Sequence, residues 1–185
     1  FKYIFTYDDG LLNELDNARF YPIAAGIWNR EMKEELYQVK EQDISILSSD
    51  KVMCPLHRFR LELARKCKRE HLAAAFGKFD GGSYVRSVDE CLDAFRFSIV
   101  IEHDISDYYF SERLTSCFAA QTIPVYLGAR KIADFFNPDG IIFLQDTDLA
   151  HAAKTLEQCT KETYGERLTA VLDNYKRVQE YSNMQ

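Results

Sequence analysis

The sequence lacks the features that anchor a chain in a membrane or build it from repeats. No segment approaches the roughly 18 to 20 consecutive apolar residues of a membrane span, and no charged-then-apolar leader opens the chain. There is no internal repeat, no low-complexity tract, and neither a G-x-x-x-x-G-K-[ST] nor a G-x-G-x-x-G phosphate loop. These absences exclude repeat arrays and P-loop nucleotide binding, and they predict a soluble, compact chain.

The chain has fewer basic than acidic residues, and its cysteines show no pairing pattern. The chain has 23 Lys and Arg against 29 Asp and Glu, a net charge of −6. Such a field does not attract nucleic acid or an anionic membrane. The cysteines are odd in number, lack a C-x-x-C motif, and have no zinc-like spacing with the histidines. We expect them to be reduced and mostly buried, with no metal, which predicts a cytoplasmic location and leaves peripheral membrane association open. They are Cys54, Cys67, Cys91, Cys117 and Cys159.

From Asp43 onward, strand-like apolar segments alternate with helical ones. The predicted strands are 44–47, 73–77, 97–102, 123–128 and 141–144, and the predicted helices are 55–70, 88–94, 111–120 and two helices within 148–181. Strands that are apolar on both faces indicate a parallel sheet covered on each side. The sequence therefore predicts an α/β fold, a Rossmann-like parallel sheet with helices on both faces. Such a sheet binds ligands beyond the carboxyl ends of its strands.

The chain divides into three predicted parts. Residues 1–42 form a short N-terminal segment, with a strand at 3–7, a helical piece at 11–15 and irregular apolar chain at 18–27. Residues 43–160 form the sheet domain, and 161–185 a C-terminal helix. Because the chain opens on strand-like Phe1 without a start methionine, we expect residues upstream of it.

The densest chemical signal follows the strand at 97–102 and runs to Leu114. Ser111 is a good N-cap, which places Glu112 and Arg113 in the first turn of the next helix, at the positive end of its dipole. A helix N-terminus with a fixed cation can stabilise a diphosphate leaving group. We interpret this segment as an anion site, although Glu112 and Arg113 could equally be a charged first turn.

The order and spacing of these residues resemble the donor-binding motif of family 10 α-1,3/4-fucosyltransferases. That motif reads F-E-N, a loop, Y-[VI]-T-E-K-[LI], a spacer, G-T-[IV]-P-[IV]-x-x-G and a later F-N-P. The matching segments here are Ile101-Glu102-His103, Tyr109-Phe110-Ser111-Glu112-Arg113-Leu114, Gln121-Thr122-Ile123-Pro124-Val125-Tyr126-Leu127-Gly128 and Phe136-Asn137-Pro138.

The resemblance implies roles for residues of this sequence. Glu102 and His103 take the places of the Glu-Asn pair, Tyr109 that of the loop tyrosine, Glu112 the donor-binding glutamate and Arg113 the phosphate-facing lysine. Arginine for lysine keeps the charge but changes its reach, and histidine for asparagine departs further from the motif. The other donor-site candidates are Ser111, Gly128, and one arginine of the helix after Ser48-Ser49, with Arg60 preferred on spacing and Arg58 as the fallback.

The resemblance further implies the C-terminal, donor-binding half of a GT-B glycosyltransferase. It implies inverting transfer of a sugar, fucose from GDP-fucose, to a glycan hydroxyl, with no metal and no cofactor. The family's general base lies in the N-terminal acceptor half, so the base stays unknown here, and Asp8 and Asp9 are only guesses.

Several alternatives stay open on the sequence. The donor could be UDP-linked, as in exostosin-like transferases, or the chain could be a non-catalytic nucleotide-sugar-binding module. A flavodoxin-like or receiver-type regulator shares the alternating pattern and requires an acidic cluster at the strand ends. At the residue level, Tyr108 and Tyr109 could be packing aromatics, His103 a plain loop histidine, and Gly128 a turn glycine.

Overall fold

The computed structural model describes residues 1–182 as strands and helices joined by short loops. The strands are β1 (Ile4–Thr6), β2 (Ala18–Phe20), β3 (Gln42–Leu47), β4 (Ala74–Phe76), β5 (Phe95–Ile101), β6 (Ile123–Leu127) and β7 (Ile142–Phe143). The α-helices are α1 (Asp9–Glu14), α2 (Pro55–Glu70), α3 (Glu112–Ala119), α4 (Leu149–Leu156), α5 (Lys161–Glu166) and α6 (Leu168–Val178). Short 3-10 turns lie at Leu36–Val39, Val88–Cys91, Ile132–Asp134, Pro138–Gly140 and Gln179–Tyr181.

The main sheet has five parallel strands in the order β4-β3-β5-β6-β7. The chain leaves β3 through α2 and returns as β4 on one side, then crosses to β5 on the other side of β3. The strand order therefore reverses between β3 and β5, and doubly wound sheets bind ligands in the crevice at that point. The predicted parallel α/β sheet is confirmed.

Two apolar layers cover the sheet, and the central strands alternate between them. Phe97, Ile99 and Ile101 of β5 pack in the layer formed with α2 and α4, whereas Val100 faces the layer of α3 and α6. All of β5 is buried, and burying a side chain such as Phe97 contributes about 1.5 to 3 kcal/mol. Burial on both faces explains why this strand reads as a nearly continuous apolar run.

The N-terminal segment forms its own small sheet and then runs along α3. Strands β1 and β2 pair in parallel, apart from the main sheet. Residues 24–28, named the strap here, follow α3: the Glu112 N–H donates to the Ala24 carbonyl at 2.7 Å, and the Thr115 hydroxyl donates to the Gly26 carbonyl. The strap therefore satisfies polar groups on a buried face of α3.

The structure differs from the sequence prediction in three places. Strand β2 lies in the stretch predicted to be irregular, because three residues become a strand only through pairing with β1. The predicted helix at 88–94 is a short 3-10 turn. The tail predicted as two helices forms α4, α5 and α6, since Thr160 caps a new helix start and the chain breaks again at Arg167. The predicted domain boundaries at 42/43 and 160/161 stay predictions.

No helix within residues 1–182 has the length and apolarity needed to cross a bilayer.

Candidate functional site

The candidate site lies where the strand order reverses, at the carboxyl ends of β3 and β5. Helix α2 begins on one side of this crevice and α3 on the other, and both present an arginine to it. Arg60 of α2 and Arg113 of α3 line one small pocket together with Trp28. The enclosed volume is about 20 Å³, enough for about one water-sized group. A larger ligand would have to lie across the mouth of this pocket.

Helix α2 begins at a proline, preceded by an unusual cap. Pro55 takes the first helical position, where a missing N–H costs nothing, and the Cys54 sulfur accepts the His57 N–H at 3.4 Å. The Cys54 thiol in turn donates to the His103 carbonyl at 3.2 Å, which links the start of α2 to the loop after β5.

The two candidate arginines of α2 lie in different environments. Arg58 is exposed, whereas Arg60 is only 3% exposed and its Nε has no hydrogen-bond partner among the described residues. Burial, and secondarily the nearby Arg113, lowers the pKa of Arg60 to about 10, so the guanidinium stays charged at neutral pH. Arg60 forms no ion pair within the described residues, and the nearby Glu102 offsets only part of the effect of burial on its pKa. A buried cation of this kind is costly, and it marks a position where an anion would be stabilised. The helical spacing of the sequence, which favours Arg60 over Arg58, agrees with the buried position of Arg60.

The start of α3 is fixed by a serine that bonds in two directions. The Ser111 hydroxyl accepts the Arg113 N–H at 3.4 Å as a helix cap, and it donates to the Glu102 carboxylate at 2.6 Å. The Ser111 N–H donates to the same carboxylate at 3.0 Å. The Glu112 N–H is bonded to the strap, so it is not free for an anion; the Glu112 side chain is half-buried.

Glu102 lies beneath the crevice and is 1% exposed. Burial raises the pKa of Glu102 to about 7, against the opposing effect of its bonds to Ser111. Its carboxylate accepts hydrogen bonds from the Ser111 N–H and hydroxyl, so in this geometry it positions the start of α3. The donor-binding role that the resemblance implies for Glu102 stays a prediction.

Arg113 is half-buried and its guanidinium lies over the Trp28 ring, 5.7 Å from the ring centre. Neither Arg113 nor Arg60 forms an ion pair within the described part of the chain. The resulting positive field reaches a third group: the pKa of His57 is lowered by burial first and then by these two arginines. The crevice therefore carries two cations and lacks a matching carboxylate partner for either.

An aromatic cluster borders the crevice on the side of the N-terminal segment. The exposed His103 ring packs against Tyr109 at 4.3 Å between ring centres, and Tyr109 packs against Tyr7 at 5.0 Å. Tyr109 is buried, and burial raises its pKa above the ordinary value. His103 and Tyr109 thus lie together at the end of β5, while Tyr108 contacts Phe20 on another side.

Gly128, at the end of β6, is required by protein packing. A Cβ atom at this position would lie 2.4 Å from the Tyr126 hydroxyl oxygen and 2.5 Å from the Glu102 Cγ. The Tyr126 hydroxyl oxygen accepts the Ala129 N–H at 2.9 Å, which holds the ring there. The close approach at Gly128 therefore involves protein atoms, and its predicted contact with a ligand stays a prediction.

The two aspartates considered as a base take different positions. Asp8 is exposed and caps α1 by accepting the Leu11 N–H. Asp9 accepts the Asp107 N–H at 3.2 Å with one carboxylate oxygen, while the other is buried without a partner among the described residues. Neither arrangement identifies a base.

Trp28 is not among the candidate residues that the sequence predicts. This residue lies in apolar chain without periodicity, so no pattern linked it to Arg113. Its one available signal was that it is the sole tryptophan of the sequence.

Metal ligands and acidic clusters are sparse in the part of the chain that the structure describes. No group of three His, Cys, Asp or Glu side chains there could hold a metal ion. Four of the five cysteines are buried, as predicted, and Cys54 is half-buried. The acidic cluster that a receiver-type regulator requires at the strand ends is not found among these residues.

No protein-family model matches the sequence, and no curated protein matches it. Solved structures do match the fold. The structure of an α1,3-fucosyltransferase with GDP has a TM-score of 0.65 at 16% identity, covering 98% of this chain and 68% of that chain. The structure of an α1,3-fucosyltransferase with GDP-fucose has a TM-score of 0.64 at 16% identity, covering 98% of this chain and 68% of that chain. TarM has a TM-score of 0.53 at 13% identity, covering 99% of this chain and 41% of that chain. At these identities the similarity shows a shared fold.

Proposed function

We propose that this chain binds the donor of a nucleotide-sugar-dependent glycosyltransferase, with GDP-fucose as donor and a glycan hydroxyl as acceptor. The observation that carries the proposal is the pair of unpaired guanidiniums, Arg60 and Arg113, which approach one crevice from opposite sides at the switch point of the sheet. The donor class is supported by the sequence motif from Glu102 to Gly128 and by the fold shared with α1,3-fucosyltransferase.

The two arginines match the charge that develops in such a reaction. The acceptor oxygen bonds to the anomeric carbon of the sugar, the bond from that carbon to the phosphate oxygen breaks, and the nucleoside diphosphate leaves with the electron pair. The proton of the acceptor hydroxyl passes to a base that we do not assign. Arg60 and Arg113 neutralise the leaving diphosphate, and fixed cations in a desolvated crevice do so with little reorganisation.

In this proposal, the remaining candidate residues contact the parts of the donor beyond the diphosphate. Glu112, in the first turn of α3, is placed to accept bonds from sugar or ribose hydroxyls, and Tyr109 and His103 offer ring faces at the end of β5. Glu102 acts through Ser111, whose hydroxyl it holds at 2.6 Å. The step as proposed is metal-independent and inverting. The free cysteines fit a cytoplasmic location.

The test is calorimetric titration of the chain with GDP, UDP and GDP-fucose in the absence of divalent metal. We expect GDP and GDP-fucose to bind and UDP to bind more weakly. Arg60→Gln and Arg113→Gln should each weaken GDP binding by about 1.5 to 3 kcal/mol, the usual range for a charged hydrogen bond. Arg65→Gln, an exposed arginine of the same helix, is the matched control and should leave binding unchanged.

The outcomes separate the alternatives. Preference for UDP would assign a UDP-linked donor, and GDP binding without transfer or donor hydrolysis would indicate a binding module. Unchanged GDP binding in both Arg60→Gln and Arg113→Gln would refute the proposed site.

A further inference from the structure

Trp28 has an environment that core packing does not explain. It is 45% exposed, while its neighbours Ala25 and Ile27 are buried and hold the strap in the apolar layer. The backbone N–H of Trp28 donates to the Ser116 hydroxyl oxygen of α3 at 2.8 Å. The backbone is thus fixed along α3, and the large ring is directed to the crevice instead of the core.

The Trp28 ring lies next to the Arg113 guanidinium, the cation that has to be oriented toward a ligand. The Arg113 guanidinium carbon lies 5.7 Å from the centre of the Trp28 ring, and both side chains line the pocket shared with Arg60. Within residues 1–182, Arg113 has no carboxylate partner at ion-pair distance. A guanidinium over an aromatic ring can turn its face to the ring and keep its N–H edge free for bidentate bonds to phosphate.

We propose that Trp28 is a positioning residue of the donor site, holding the Arg113 guanidinium by its face so that the N–H edge meets the diphosphate. This inference rests on the proposed function and adds a residue from the N-terminal segment to it. It predicts that the aromatic ring, rather than apolar bulk alone, is what matters at position 28.

The experiment compares Trp28→Phe with Trp28→Leu in GDP and inorganic pyrophosphate titrations. Leucine keeps apolar bulk but has no ring face, so we expect GDP affinity to fall about fivefold, in line with a cation–π contact. Phenylalanine keeps the ring face and should stay within about twofold of the wild type. Tyr84→Leu, which removes a ring that is 84% exposed elsewhere on the surface, is the control and should change nothing.

A double-mutant cycle distinguishes positioning from a general structural effect. If Trp28 acts through Arg113, Trp28→Leu should have no further effect on GDP binding in an Arg113→Gln background. Because Trp28 is the sole tryptophan, its fluorescence provides a second readout, and the emission of the unliganded protein should differ between the wild type and Arg113→Gln.

Each outcome decides the question. Equal losses of affinity in both backgrounds, or a Trp28→Leu variant with wild-type GDP affinity, would overturn the role of Trp28 while leaving the proposed function intact. If Trp28→Leu does not fold, Trp28→Met takes its place in both backgrounds, because methionine also keeps apolar bulk without a ring face. A wild-type chain that binds neither GDP nor pyrophosphate would refute the proposed function and the inference with it.

Discussion

Replacing Arg60 by methionine should stabilise the fold and weaken nucleotide binding at the same time. The side chain is buried with an unpartnered Nε, and it faces the positive charge of Arg113. Methionine fills most of the same space, suits a helix interior, and carries no charge to desolvate. A residue that destabilises the free protein is expected where the missing interaction comes from a ligand.

The magnitude follows from the pKa of Arg60, which burial lowers to about 10. At about 1.4 kcal/mol per pKa unit, that lowering corresponds to about 3 kcal/mol of destabilisation of the charged form. This is an upper figure, because the guanidinium end reaches the pocket and is incompletely desolvated. We expect a net gain of about 1 to 2 kcal/mol in the free energy of unfolding, or a rise in Tm of about 2 to 8 °C.

The assay is urea and thermal unfolding with and without GDP. At a GDP concentration of about 100 Kd, the wild type should gain about 2.7 kcal/mol from ligand binding, and Arg60→Met, with binding weakened by about 1.5 to 3 kcal/mol, should gain only about 0.3 to 1.3 kcal/mol. Arg58→Met, at an exposed position of the same helix, should change the unfolding free energy by no more than about 0.5 kcal/mol. A lower Tm for Arg60→Met, or an undiminished response to GDP, would refute the view that Arg60 is held for an anion.

Three further predictions concern the packing of the main sheet. Because the pKa of Glu102 rises from 4.5 to about 7 on folding, the folded state binds the extra proton, and the stability this group confers is lost as pH rises through about 7. Urea unfolding at pH 5 and pH 8 should therefore show a smaller loss of stability in Glu102→Gln than in the wild type; parallel curves would contradict the assignment. Gly128→Ala should destabilise the fold by about 1 to 3 kcal/mol in urea unfolding, because the added Cβ would clash with both the Tyr126 side chain and the Glu102 Cγ; wild-type stability would contradict this close packing. Lys40→Met should cost about 2 to 4 kcal/mol, because it leaves the carbonyls of Leu92 and Ala120 without the buried ammonium donor; a neutral result in urea unfolding would show that other donors replace it.

Local chemistry was enough to predict much of the main sheet. Strand β5 reads as a continuous apolar run because both of its faces are buried, and α3 could be placed because Ser111 is a strong N-cap. The preference for Arg60 over Arg58 came from helical phase, which turned one side chain inward and the other outward. These features depend on periods of two and 3.6 residues, so the sequence shows them directly.

Other features depend on partners distant in the chain. Strand β2 exists only in pairing with β1, and the tail divides into α4, α5 and α6 where caps and packing break it. The motif position of Glu102 predicts a donor contact, which stays a prediction, and only the tertiary structure shows that its carboxylate accepts the Ser111 N–H and hydroxyl. Spacing gives the place of a residue along the chain, and it does not show which neighbour fills the space around the side chain.

The sequence alone determined the class of fold and the elements that carry Arg60 and Arg113, because each depends on neighbours within a few residues. Only the tertiary structure decided that the two guanidiniums share one pocket without counter-ions, and that Trp28 lies against one of them. Residues 28, 60 and 113 are far apart in sequence, and they meet because the strand order reverses between β3 and β5 while the strap packs along α3. Charge and ring faces act over a few ångströms, so this meeting, rather than the sequence spacing, creates the candidate site.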